Sequence, residues 1–280
     1  MIEEIKDAYR RRRLILFVGA GLSIDLGLPS WSELIDHMAK ELGFEPEVYR
    51  TFGDYLTLAG YYRIQKGLGG LRSWMDRQWH AKDKDVSTSR IHELIVKLDV
   101  DHIYTTNYDR WIEQAFDNWD RPYVKITNVG DLATKMQKGT QIVKLHGDFD
   151  DDASLVLDET SYFERLEFET PLDIKLRSDT LGKSVLFLGY SLTDINIRLL
   201  FYKLANLWKK ERVAQQPPSF IFFPRPNPIQ QAILERWNIK VISPMSDDST
   251  REIEGLLAAL ADVRQYSAGV SCETGVRVHF

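Results

Sequence analysis

The first group of residues suited to chemistry is a glycine loop. Gly19-Ala20-Gly21 follows the apolar run Leu14-Ile15-Leu16-Phe17-Val18 and precedes a helix. Backbone N–H groups at such a strand-to-helix turn are placed to face a pyrophosphate. The usual dinucleotide fingerprint needs a third glycine three residues after the second, where this chain has Ile24. It also needs an acid about 20 residues further on, at the end of a second strand, where a helical pattern stands instead. The Walker phosphate-binding pattern is missing as well. Hydride transfer and phosphoryl transfer are therefore both disfavoured. The acidic run Asp148, Asp150, Asp151 and Asp152 lacks calcium-loop spacing and reads as a solvated turn. A single cysteine, Cys272, excludes an intramolecular disulfide framework and any zinc site built on two or four cysteines.

These residues need a scaffold, and the hydrophobic pattern supplies one. Short apolar runs recur at Leu14–Val18, Asp101–Thr105, Gln141–Leu145, Val185–Gly189, Ser219–Phe223 and Ile239–Ser243, each reading as a buried strand. Trp31, Leu34, Ile35, Met38 and Leu42 fall on one helical face, and Ser30 with Glu33 predicts a capping box at its start. Ile91, Leu94, Ile95 and Leu98 repeat the helical spacing before the second strand. Strands alternating with helices predict an α/β, Rossmann-like, doubly wound parallel sheet. More than eighty residues separate the first two strands, and they carry aromatics at Tyr49, Phe52, Tyr55, Tyr61, Tyr62, Trp74 and Trp79. A crossover ordinarily takes one helix, so an inserted helical subdomain at about 31–98 is expected beside the ligand-binding crevice.

The composition is that of an ordinary globular chain of 280 residues, 44% hydrophobic and 28% charged. Lys and Arg number 36 against 41 Asp and Glu, a net charge of −5, which disfavours direct nucleic-acid binding. The charged start Met1 to Asp7 is unlike a secretory signal, and the longest apolar run, Leu14 to Leu22, falls well short of the ~20 residues of a membrane helix. A cytoplasmic location without membrane contact follows as the expectation. The basic run Arg10 to Arg13 reads as the solvated end of a first helix.

Further along, three more short motifs fall at predicted strand ends: Thr105-Thr106-Asn107-Tyr108-Asp109, Lys144-Leu145-His146-Gly147 and Gly189-Tyr190-Ser191-Leu192. With the stretch Gly19 to Trp31, they resemble in order the motifs of the sirtuin (Sir2) superfamily. The zinc module of the protein-deacylating members is missing, and Pro29-Ser30-Trp31 replaces their Pro-x-Phe-Arg continuation. The chain most resembles the Sir2-like domains of bacterial anti-phage defence proteins, which hydrolyse NAD. In those, Thr-Thr-Asn-Tyr-Asp and Gly-Tyr-Ser-Leu followed by Asp-x-Asn, here Asp194 and Asn196, are familiar variants.

The resemblance implies NAD+ as substrate and no zinc. It implies Asn107 and His146 as the catalytic pair, with His146 as base and Asn107 holding ribose or water. His146 has a near-neutral unperturbed pKa, which suits a base. Gly19, Ala20, Gly21 and Ser23 would line the phosphates, Asp109 would meet the nicotinamide carboxamide, and Gly189, Ser191 and Asp194 would lie on the adenosine side. Structural alternatives stand beside several of these: Thr106 with Asp109, and Ser191 with Asp194, have capping-box spacing. Tyr162 reads equally as a border of the site or as core.

The implied activity is NAD+ glycohydrolysis to ADP-ribose and nicotinamide, depleting NAD in defence. The alternatives are an NAD-dependent deacylase or ADP-ribosyltransferase, and a non-catalytic NAD or ADP-ribose sensor. An unregulated NAD hydrolase would deplete its host, so restraint by homo-oligomerisation or by a partner such as a defence ATPase or nuclease subunit is expected. Residues 1–265 are assigned to one NAD-binding domain. Residues 266–280, with Gly269, Gly275, Val276 and Val278, read as a tail or an interface segment.

Overall fold

The computed structural model describes residues 1–81, 83–134, 139–166, 170–190, 195–211, 216–225, 227–246 and 248–270. Seven strands form one parallel sheet: β1 (Leu14–Val18), β2 (His102–Thr105), β3 (Tyr123–Ile126), β4 (Thr140–Lys144), β5 (Ser184–Leu188), β6 (Ser219–Phe222) and β7 (Ile239–Ile242). Their spatial order is β3-β4-β2-β1-β5-β6-β7. From β1 the chain moves through β2 to the edge at β3, steps back in to β4, then crosses β1 to β5 and winds outward on the other side. This is the doubly wound α/β fold expected from the alternating pattern, with its switch point beside β1.

Every residue of β1 is buried, because the strand is central and covered on both faces. Its side chains alternate. Leu14, Leu16 and Val18 enter a core with Ile5, Leu94, Ile95, Trp111, Phe116 and Leu257. Ile15 and Phe17 enter the opposite core with Tyr104, Leu176, Phe187, Phe201 and Ile221. A third core belongs to the residues between β1 and β2. Helices Trp31–Leu42, Pro46–Tyr49, Tyr55–Lys66 and Gly69–Trp79 bury Ile35, Met38, Tyr62, Leu71 and Met75 together, with Phe149 and Leu157 from beyond β4. No strand interrupts this stretch among the described residues, as the inserted helical subdomain requires. The capping box at the start of Trp31–Leu42 is formed: Ser30 Oγ accepts the Glu33 N–H, and the Glu33 carboxylate accepts the Ser30 N–H at 2.7 Å.

The structure corrects several expectations. β3 has no counterpart among the predicted strands; it is an edge strand of four residues with Tyr123 and Lys125 half-exposed. The strands expected at Gln141–Leu145 and Val185–Gly189 each begin and end one residue earlier. The triplet Gly182-Lys183-Ser184 has the ending of a Walker motif, but Arg177 stands where its first glycine belongs, and Ser184 opens β5 instead of following a strand. The acidic run is only partly a solvated turn. Asp148 is buried and its carboxylate lies 2.6 Å from Lys125, while Asp150 pairs with Lys125 and Arg110. The last helix runs Ser249–Val270, and residues 271–280 lie outside the described residues together with Cys272.

Candidate functional site

A cavity of about 850 Å³ opens at the carboxyl ends of the central strands, the place where open α/β sheets bind ligands. One wall is made by the loops after β1, β2, β4 and β5: Ala20 and Gly21, Thr106 to Asp109, His146, and Gly189 with Tyr190. The other wall comes from Pro29 and the helical insertion that follows it, through Trp31, Leu34, Tyr55 and Trp79. The first wall is polar and the second aromatic. Such a division suits a ligand with charged and hydroxylated parts joined to flat rings.

The loop after β2 is held at nearly every backbone position. Thr105 Oγ1 accepts the Asn107 N–H at 2.9 Å, and Asp109 Oδ1 accepts the Trp111 N–H at 3.0 Å. Arg110 N–H donates to His80 Nε2 at 2.9 Å, which leaves the proton on His80 Nδ1 to face Asp76 at 3.0 Å. Lys144 Nζ donates to the carbonyls of Tyr108 and Asp109 from below. The helix that follows, Trp111–Asn118, starts too late for the Thr106–Asp109 capping box, which is not formed. With the backbone committed, Asn107 Nδ2 and Asp109 Oδ2 are buried without a hydrogen-bond partner. Buried polar atoms normally find partners, so two orphans on one cavity wall mark where a ligand would supply them. Burial lifts the Asp109 carboxyl above the usual aspartate range, against the opposing pull of Lys144.

His146 is the second residue after β4, is buried, and meets the ring of Tyr162 edge-on at 5.1 Å. Tyr162 is thus both core and cavity lining. Gly147 holds φ +88° where a Cβ would lie 2.2 Å from the Ser154 carbonyl oxygen. Only glycine allows the chain to turn there, which carries the segment Asp148 to Val156 back under His146 and lets Val156 N–H bond the His146 carbonyl at 3.0 Å.

The glycine loop has a different physical basis from the one its sequence suggested. Gly19 N–H bonds the Leu188 carbonyl and Gly21 N–H the Gly189 carbonyl, both at 2.9 Å. A Cβ on Gly19 would sit 2.3 Å from the Gly189 carbonyl oxygen, and one on Gly21 at 2.8 Å. The two glycines let β1 and β5 close on each other, and their amides are already spent. Neither Gly19 nor Ser23 lines the cavity, although the buried Ser23 Oγ lacks a partner nearby.

Of the residues singled out in the sequence, Ala20, Gly21, Asn107, Asp109, His146 and Gly189 come together at this cavity, while Ser191 and Asp194 lie outside the described residues. Sequence reasoning missed the aromatic wall: Trp31 stood only as the end of a motif and a helical residue, Tyr55 and Trp79 only as aromatics of the insertion, and nothing local said which would face a cavity. It also gave no role to Lys144, because its hydrogen bonds to the Tyr108 and Asp109 carbonyls are contacts between distant segments. No group of three His, Cys, Asp or Glu able to hold a metal occurs among the described residues, and no helix there is long and apolar enough to cross a membrane.

Comparison with known proteins places this geometry in context. Residues 101–242, from the residue before β2 to the end of β7 and just over half of the chain, match the family model described as SIR2-like domain. A protein named NAD(+) hydrolase ThsA from Enterococcus faecium is 31% identical over 201 residues, 70% of this chain and 41% of that protein. The protein of the same name from Bacillus cereus (strain MSX-D12) is 29% identical over 201 residues, with the same shares of each chain. Defense-associated sirtuin 2 of Bacillus subtilis is 28% identical over 265 residues, 91% of this chain and 25% of that one. The chain therefore spans about two-fifths of the length of the first relatives it matches.

Proposed function

The chain belongs to the SIR2-like family, and on that premise we propose that it is an NAD+ glycohydrolase acting in anti-phage defence. The observation that carries the reading is the convergence of Asn107, Asp109 and His146 on one cavity wall, with buried polar atoms of the first two lacking partners. That ThsA proteins from two species are named NAD(+) hydrolases supports it.

In this reaction water replaces nicotinamide at the ribose C1′, giving ADP-ribose, nicotinamide and a proton. The bond that breaks joins C1′ to a cationic ring nitrogen, so the electron pair leaves with a group that becomes neutral. No strong general acid is needed. The transition state is oxocarbenium-like, as in glycoside hydrolysis, and gains most from a positioned water and a base. His146 is the base that takes the water's proton. Asn107 Nδ2, a donor with no protein acceptor, holds the water or a ribose hydroxyl. Asp109, whose buried Oδ2 has no protein partner, meets the nicotinamide carboxamide. The aromatic wall of Trp31, Tyr55 and Trp79 shields the reacting carbon from bulk water. Control by self-association or by a partner such as a defence ATPase or nuclease belongs to the same proposal, and a constitutively active monomer in light scattering with assay would refute that part.

The test is nicotinamide release from NAD+, with and without an acylated peptide, by wild type, His146→Ala and Asn107→Ala. Release without peptide, lowered about 100-fold or more in both variants at unchanged melting temperature, is expected. NAD consumption that requires the peptide would point to deacylation instead. Wild-type protein that binds NAD but never turns it over would leave a sensing role.

A further inference from the structure

Lys144, the last residue of β4, is completely buried. Its ammonium has three N–H donors, and the structure spends all of them: on the Tyr108 carbonyl at 3.2 Å, the Asp109 carbonyl at 2.7 Å and Glu113 Oε1 at 2.9 Å. Asp148 contributes a second carboxylate 3.7 Å away. Two of the three bonds therefore go to the backbone of the very loop whose side chains Asn107 and Asp109 face the cavity.

The energetics say why this is unusual. Taking an ammonium and a carboxylate out of water costs several kcal/mol per ion, and an apolar pair of similar volume is often as stable or more so. Stability alone does not account for a lysine here. What an apolar side chain cannot do is hold two successive carbonyl oxygens in fixed directions. Released, those peptide groups would turn, and the side chains of Asn107 and Asp109 would turn with them.

We propose that Lys144 is a positioning residue for the NAD-cleaving site, setting the orientation of the Asn107–Asp109 loop through its hydrogen bonds to the Tyr108 and Asp109 carbonyls. This rests on the glycohydrolase reading. It needs no contact between Lys144 and the substrate. A displacement of about 1 Å in groups that hold a reacting centre is enough to cost on the order of 100-fold in rate.

The experiment pairs Lys144→Met with the double variant Lys144→Met/Glu113→Leu. The single change strands the buried Glu113 charge and lowers both melting temperature and kcat. The double change removes both charges. Expected for the double variant is a melting temperature recovered to near wild type, with kcat still 10- to 100-fold down and KM within about threefold. Recovery of kcat together with melting temperature would show that Lys144 serves only to neutralise Glu113, and would overturn the proposal. Hydrogen exchange supplies the second measurement, valid even if the double variant stays less stable. Faster exchange confined to residues 106–110 supports positioning, whereas unchanged exchange, or exchange raised throughout β2 and β4, overturns it. Wild-type protein that releases no nicotinamide defeats the glycohydrolase reading, and the exchange result then still decides what Lys144 does to the loop.

Discussion

Replacing Gly19 with alanine tests whether the glycine loop exists to cradle phosphate or to let two strands meet. The backbone at Gly19 is extended, with φ −106° and ψ 170°, so alanine adopts it without conformational cost. The penalty is purely steric. The new Cβ would lie 2.3 Å from the Gly189 carbonyl oxygen and 2.7 Å from Tyr190 Cδ2, so β1 and β5 must separate by about 1 Å at their carboxyl ends. Overpacking of that kind costs about 1–3 kcal/mol. Weakening the bonds from Gly19 and Gly21 to Leu188 and Gly189 adds about 1 kcal/mol. Against this, a less flexible unfolded chain returns about 0.5 kcal/mol. The net loss is about 1.5–3.5 kcal/mol, or about 3–14 °C in melting temperature for a domain of this size.

Gly255→Ala is the internal control. That glycine is exposed on the last helix, with nothing within 4 Å of the new Cβ, so the same chemical change should stabilise by up to about 1 kcal/mol. Differential scanning fluorimetry of the ligand-free proteins reads both. A Gly19→Ala protein with wild-type melting temperature and a raised KM for NAD would refute the packing argument, because only a loop built for phosphate behaves that way.

Other perturbations follow from single observations. His92 is buried, with Ser89 Oγ 2.7 Å from its Nδ1, and burial depresses its pKa to about 4. The unfolded chain therefore takes up a proton near pH 6.5 that the folded chain refuses, so stability present above that pH is lost as pH falls towards 4, by about 3 kcal/mol from this residue. His102, also depressed to about 4 by burial, acts in the same direction. Urea midpoints from pH 7 to 4.5 should fall steeply in wild type and less so in His92→Gln; parallel curves would refute the assignment. Trp31 lines the cavity and stacks on Tyr55 with ring centroids 6.4 Å apart. Trp31→Ala should raise KM for NAD about tenfold, equivalent to about 1.4 kcal/mol, and an unchanged KM would take the aromatic wall out of substrate binding.

Much of the fold was written in local patterns. A fully buried strand such as Leu14–Val18 is apolar at every position, an amphipathic helix such as Trp31–Leu42 repeats its apolar residues every three or four, and a capping box needs only Ser30 and Glu33. All three depend on neighbours in the chain and survive translation into structure. β3 escaped because an edge strand of four residues, half-exposed at Lys125, carries too little apolar signal to stand out. The positions of Asn107 and His146 at strand ends were legible for the same local reason, since each lies just beyond an apolar run.

What the sequence determined by itself was therefore the set of elements, the long helical stretch between the first two strands, and the motifs that end the strands. Which of those motifs meet was settled by the order β3-β4-β2-β1-β5-β6-β7. That order sets β4 against β2, so Lys144 reaches carbonyls 35 and 36 residues earlier, and it sets β5 against β1, so that Gly19 must have no side chain. The physical reason is that burial of a lysine, clash of a Cβ and orphaning of a polar atom are properties of contacts between distant segments. Local periodicity records how much of each element is buried, and only tertiary packing decides against what.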